Sequence, residues 1–148
     1  MKTNMPATEP LCRLIGINPS DLSREECIFL EAELLYGICE ELKENFRKQY
    51  SEYFRLMKFT MEMENAMLEE NLPHLMIKDI LITKEYTLEG IAHYVNTHED
   101  VVHEIISGLN RNPSAMLLRR VIELHKLVRS ELYKEIMKKI VAKYGVAA

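Results

Sequence analysis

Between residues 20 and 71, apolar positions recur at three- and four-residue steps: Ile28, Leu35, Ile38, Leu42, Phe46, Tyr50, Tyr53, Met57, Met61, Met67 and Leu68. That is the period of a helix with one apolar face. Ser23 followed by Glu26 has the spacing of a capping box, and Glu25 adds negative charge to the same first turn. No proline and only Gly37 interrupt the segment. The four-residue steps at Leu42, Phe46 and Tyr50 break a strict heptad, so an ideal coiled coil is not expected. A continuous helix here would be about 75 Å long at about 1.5 Å per residue. Its stripe needs a cover, supplied by a second copy of the chain or by a bend near residues 45–51 that folds the helix back. No Gly or Pro marks such a bend, so pairing into a homodimer is the expectation. Met57, Met61, Met63 and Met67 read as core side chains of this element, with an adaptable partner surface as the alternative.

The pattern changes on either side. Residues 1–19 hold Pro6, Pro10, Pro19 and Gly16 around Leu11, Leu14 and Ile15, which reads as an irregular arm. Pro73 ends the long helix or opens the next, an apolar one through Leu75, Met76, Ile77, Ile80 and Ile82. From Pro113 to Tyr144 helical periodicity returns through Leu117, Val121, Leu124, Val128, Leu132, Ile136 and Ile140, as one extended helix with Glu135 and Lys139 as an i,i+4 pair. Between them lies a compact unit. Thr87 caps a helix whose inner face is Leu88, Ile91, Ala92 and Val95. Asn96 tolerates the left-handed conformation of a sharp turn. Thr97 with Asp100 starts a second helix with Val101, Val102, Ile105 and Ile106 inward, and Gly108 stops it. The fold expected is all-α: an arm (1–19), a long helix or helical hairpin for dimerisation (20–71), and a helical domain with an extended last helix (73–144).

Charge is unevenly spread. Residues 1–75 carry 8 Lys/Arg against 14 Asp/Glu, residues 76–110 carry 2 against 6, and residues 111–148 carry 9 against 3. A net charge of −4 argues against a general polyanion binder, while the basic last segment leaves local phosphate contacts open. Cys12, Cys27 and Cys39 lack zinc spacing and suit reduced thiols in a cytoplasmic protein. No apolar run reaches the roughly 18 residues of a membrane span, and the first residues lack the pattern of a signal peptide. His98, Glu99 and His103 are one residue too far apart for the zinc-protease pattern, so no metal or cofactor is expected. Neither a nucleophile elbow nor a phosphate-cradling glycine loop occurs, and no enzyme activity is expected.

The order of small, turn and capping residues resembles the helix-turn-helix of the lambda-repressor-like family over about residues 73–128. Ala92 stands where that family has a small residue in the first motif helix. Asn96 stands at the turn position usually held by Gly. Val102 and Ile105 match buried aliphatics of the second helix, and Gly108 with Pro113–Ser114 matches its close and the next helix start. The resemblance implies a DNA-binding domain whose second motif helix enters the major groove of double-stranded DNA. Carried over by position, its outward residues are His98, Glu99, Asp100, His103, Glu104 and Ser107, with Thr87, Asn110, Arg111 and Asn112 toward the backbone. Three of the six outward residues are acidic and none is Lys or Arg, which disfavours phosphate contact. The implied function is a dimeric transcriptional regulator. The alternative is a protein-interaction adaptor that reuses the scaffold through its acidic helix or methionine stripe.

Overall fold

The computed structural model describes residues 19–143, and every regular element in that span is helical. A 3-10 turn at Pro19–Asp21 leads into α1 (Arg24–Gln49), α2 (Ser51–Leu56), α3 (Met61–Ile82), α4 (Leu88–Tyr94), α5 (Glu99–Ile106), α6 (Ala115–Val128) and α7 (Ser130–Lys143). None of these helices is long and apolar enough to cross a membrane. The apolar cluster expected in the arm, and Cys12 with it, lie outside the described residues.

The capping box at Ser23 forms: the Glu26 amide donates to Ser23 Oγ at 3.1 Å and the Ser23 amide to Glu26 Oε1 at 2.8 Å. Leu34, Ile38, Leu42 and Phe46 then step by four along α1 and are all buried. The helix does not continue to residue 71. It ends at Tyr50, α2 adds one short piece, and the chain reverses before Thr60 caps α3. The reversal depends on Lys58, which lies in the left-handed region at φ 58°. Around it the Phe59 amide donates to the Phe54 carbonyl at 3.0 Å and the Lys58 amide to the Arg55 carbonyl at 3.2 Å. This is a Schellman closure, a position that usually calls for glycine. α3 packs back along α1, so Ile38, Leu42, Phe46 and Leu68 of the stripe are covered within one chain, while Ile28 and Tyr53 stay exposed. The fold-back named as the alternative to pairing forms, with α1 ending inside the expected 45–51 bend. Met57, Met61 and Met63 sit exposed at this hairpin tip rather than in the core, and Met67 is half-buried.

Pro73 lies inside α3 and is buried there, so the division expected near residues 71–73 is replaced by one helix common to both parts. An internal proline removes one hydrogen bond and ordinarily costs ~3 kcal/mol. α3 tolerates it because it is the central helix: Leu72, Leu75, Met76, Ile77 and Ile80 are buried, and α1, α5 and α6 all pack against it. The segment after residue 113 is likewise two helices rather than one. α6 stops at Arg129, with φ −126° and ψ 50°, and α7 turns back onto α1. Gly37 admits that approach, since a Cβ on it would lie 3.4 Å from Ile140 Cδ1. Lys139 reaches Glu41 at 3.7 Å rather than Glu135, while Lys143 reaches the same carboxylate at 2.9 Å.

A buried polar network lies at the break at Arg129. Asp79 on α3 accepts from His125 Nε2 at 2.7 Å, from Arg129 Nε at 2.9 Å and, on its other oxygen, from an Arg129 terminal nitrogen at 2.9 Å. His125 is fully buried, its Nδ1 lies 2.8 Å from the Tyr133 hydroxyl, and Phe46 stacks beside it. The hydroxyl donates to a neutral imidazole or accepts from a charged one, so the network stays satisfied in both states. Burial alone would raise the Asp79 carboxyl. The hydrogen bonds and charges of His125 and Arg129 outweigh it and bring the pKa from 3.8 down to about 2. Nearby, burial pushes the Cys39 thiol up to about 11, as expected of an inert structural cysteine.

Removing the carboxylate leaves Arg129 and His125 without their acceptor. Asp79→Ala is expected to destabilise the protein by about 3–5 kcal/mol in urea unfolding, as for other broken buried pairs. The Asp79 carboxyl titrates lower folded than unfolded, so its contribution is present above the unfolded value and lost as pH falls from about 4 through about 2. Unfolding free energy should drop by about 2 kcal/mol more over that window in the wild type than in Asp79→Asn.

Candidate nucleic-acid interface

Thr87 caps α4 through its hydroxyl, which accepts from the Gly90 amide at 3.0 Å. Ile91, Ala92 and Val95 are buried on the inner side. The helix closes with Asn96 at φ 56°, the Asn96 amide bonded to the His93 carbonyl at 3.2 Å and the Thr97 amide to the Ala92 carbonyl at 3.0 Å. This is again the Schellman pattern, with Asn in the usual glycine place. The next helix starts one residue later than the spacing predicts. His98, not Thr97, is the N-cap of α5, its Nδ1 accepting from the Asp100 amide at 3.2 Å. Val102 and Ile105 are buried against the core, and α5 ends with Gly108 at φ 84° and the Leu109 amide bonded to the Glu104 carbonyl at 2.8 Å. Pro113 lies just before the next cap, Ser114, whose hydroxyl accepts from the Leu117 amide at 3.1 Å.

The outer side of α5 carries His98, Asp100, His103, Glu104 and Ser107 exposed, and Glu99 partly so. Several of these groups are engaged with one another. His103 Nε2 lies 3.1 Å from Glu99 Oε2, and Ser107 Oγ donates back to the Glu104 carbonyl at 3.2 Å. His98 Nδ1 is also 3.5 Å from Asp100 Oδ2. While that nitrogen accepts the capping amide it holds no proton, so this contact is not an ion pair. In the following loop Asn110 Oδ1 accepts from the Asn112 amide at 3.1 Å, and exposed Arg111 lies 3.4 Å from Glu70 on α3.

The basic residues beyond the loop do not form a free positive band. Arg120 donates to the Val95 carbonyl at 3.1 Å and braces the turn. Arg119 faces Glu31 of α1 at 4.0 Å, where burial raises the Glu31 carboxyl and Arg119 pulls it back. A cleft of about 340 Å³ lies beside the turn, bounded by Asn96, Thr97, Asn110, Asn112, Ser114 and Arg120. Thus the turn and the loop residues share one side of the domain, while Thr87 sits at the far end of α4. The role of Arg120 was not apparent from the sequence, because its partner is a backbone carbonyl. Among the described residues no group of three or more His, Cys, Asp or Glu side chains is placed to hold a metal ion.

At Asn96 the left-handed backbone makes a sharp prediction. Asn96→Val should destabilise the protein by roughly 1–2 kcal/mol, whereas Asn96→Gly should leave stability equal or higher, as read by thermal unfolding. Searches against family models, curated proteins and solved structures found no match to this chain.

Proposed function

We propose that this protein is a DNA-binding regulator of transcription that presents the outer face of α5 to the major groove. The observation that carries the reading is the α4–turn–α5 unit itself. Its inner face is buried, both helix ends are closed by left-handed residues, and the outer face of α5 is left exposed. A major groove about 12 Å wide admits such a helix. His98, Glu99, Asp100, His103, Glu104 and Ser107 then face base edges, where a carboxylate accepts from the cytosine amino group. Thr87, Asn110, Arg111 and Asn112 take the backbone. The Arg111–Glu70 contact is between two exposed side chains, and a pair of that kind contributes only about 0–1 kcal/mol, so a phosphate can displace Glu70. Two half-sites on one operator would call for two copies of the chain, and the dimer is part of this proposal.

A second reading is favoured by the charge of that face. Asp100 and Glu104 project outward, while Arg119 and Arg120 are half-buried and engaged with Glu31 and the Val95 carbonyl. A basic protein partner would meet such a helix without repulsion, making the protein an adaptor.

Fluorescence anisotropy with selected and random duplexes across a salt series separates the two. A DNA reader should lose affinity linearly in log salt with a shallow slope of about −2 to −3, since few cations are available. Arg111→Ala should weaken all duplexes alike and reduce the slope by about 1, and Glu99→Ala should change sequence preference. No binding to any duplex at low salt would sink the DNA reading and leave the adaptor.

A further inference from the structure

A second cleft, of about 380 Å³, lies at the hairpin tip, where the end of α1, α2 and the start of α3 meet. Its chemistry is opposite to that of α5. Arg47, Lys48, Arg55 and Lys58 line it, against a single lining carboxylate, Glu64. Two of the cations are engaged: Arg47 bonds Glu64 at 2.7 Å and Glu44 at 3.2 Å, and Arg55 pairs with Glu52. The ammonium groups of Lys48 and Lys58 are exposed and make no hydrogen bond or ion pair among the described residues. Lys58 is also the left-handed residue of the reversal, a conformation that costs a non-glycine residue roughly 1–2 kcal/mol. Strained positions of this kind gather at binding sites.

Two of the residues lining the cleft, Phe54 and Phe59, are aromatic. Phe59 is half-buried and stacks on buried Phe54 with ring centres 5.4 Å apart and planes 28° apart, and Tyr53 meets both rings edge-on. Stacked aromatic rings beside two ammonium groups unpaired among the described residues suit a ligand with a planar ring at one end and phosphate at the other. The volume lies within the roughly 300–1,000 Å³ of small-molecule pockets.

We propose that this cleft binds a nucleoside phosphate, the phosphate held by Lys48 and Lys58 and the base laid against Phe59. Ser51 also lines the cleft and offers a further donor. The same chemistry recognises a free mononucleotide or one nucleotide of a single strand. The site is on other elements than α5 and does not rest on how that helix is used.

The test is titration calorimetry of the full chain with AMP, ATP, adenosine, inorganic phosphate and a short oligothymidylate. AMP and ATP should bind, ATP more tightly, and adenosine and inorganic phosphate should each bind at least roughly tenfold more weakly than AMP, since each lacks one half of the contacts. Lys58→Gly and Lys48→Gln should each weaken AMP roughly tenfold. Glycine suits the left-handed position, so a loss in Lys58→Gly with an unchanged or raised melting temperature cannot be a folding defect. Phe59→Leu should weaken AMP and leave inorganic phosphate unchanged. Oligothymidylate binding tighter than AMP with the same lysine dependence identifies a strand as the source, and weaker binding identifies the free nucleotide. No heat with AMP or ATP, equal binding of inorganic phosphate and AMP, or AMP binding unaffected by Lys58→Gly would overturn the proposal.

Discussion

A buried carboxylate, Asp79, sets the arrangement of the second half of this protein. It stands on the central helix and takes hydrogen bonds from His125 and Arg129, at the joint between α6 and α7. An ion buried with its partners satisfied is tolerated, whereas one left without them is costly, so the three elements hold one arrangement. Tyr133 closes the network from α7, and Phe46 covers it from α1. α5 rests on α3, and α4 rests on α6. The exposed face of α5 is thus carried by the same central helix that holds Asp79.

The charges of the chain mean something different once folded. The basic last segment suggests an outward electrostatic surface, yet several of its cations are paired with acids of earlier helices. Lys139 and Lys143 neutralise Glu41 on α1, Arg129 neutralises Asp79, and Arg119 faces Glu31. Within the fold the acidic first half and the basic last part bind each other. On the surface α5 is rich in carboxylates, while Lys48 and Lys58 at the hairpin tip make no ion pair among the described residues. An affinity for nucleic acid must come from such local groups and from shape, not from net charge.

Helical content, the capping residues Ser23 and Thr87, and the inward side chains Ile91, Ala92, Val102 and Ile105 were legible from period and spacing. The ends of helices were not. Glycine marks one left-handed closure, Gly108, and Asn96 a second, but Lys58 and Lys84 adopt the same conformation with no compositional sign. Hence residues 20–71 fit a long helix as well as a hairpin, and the last helix reads as continuous through Arg129. Pro73 misled in the other direction, because a central helix gripped on several sides tolerates a proline that would end an exposed one. Asp79, His125 and Tyr133 were silent for another reason: the first contact spans 46 residues, and no local pattern announces it. Of the candidate interface, the positions were legible; the engagement of Arg111, Arg119 and Arg120 with Glu70, Glu31 and the Val95 carbonyl needed the fold.

Amide chemical-shift mapping of the full chain against a selected duplex is the most direct test that α5 is the functional face. Shifts are predicted at Thr87, along residues 98–107 and at residues 110–112, with the amides around Asp79 and His125 unchanged. Shifts confined to other elements, or none on adding duplex, would contradict it.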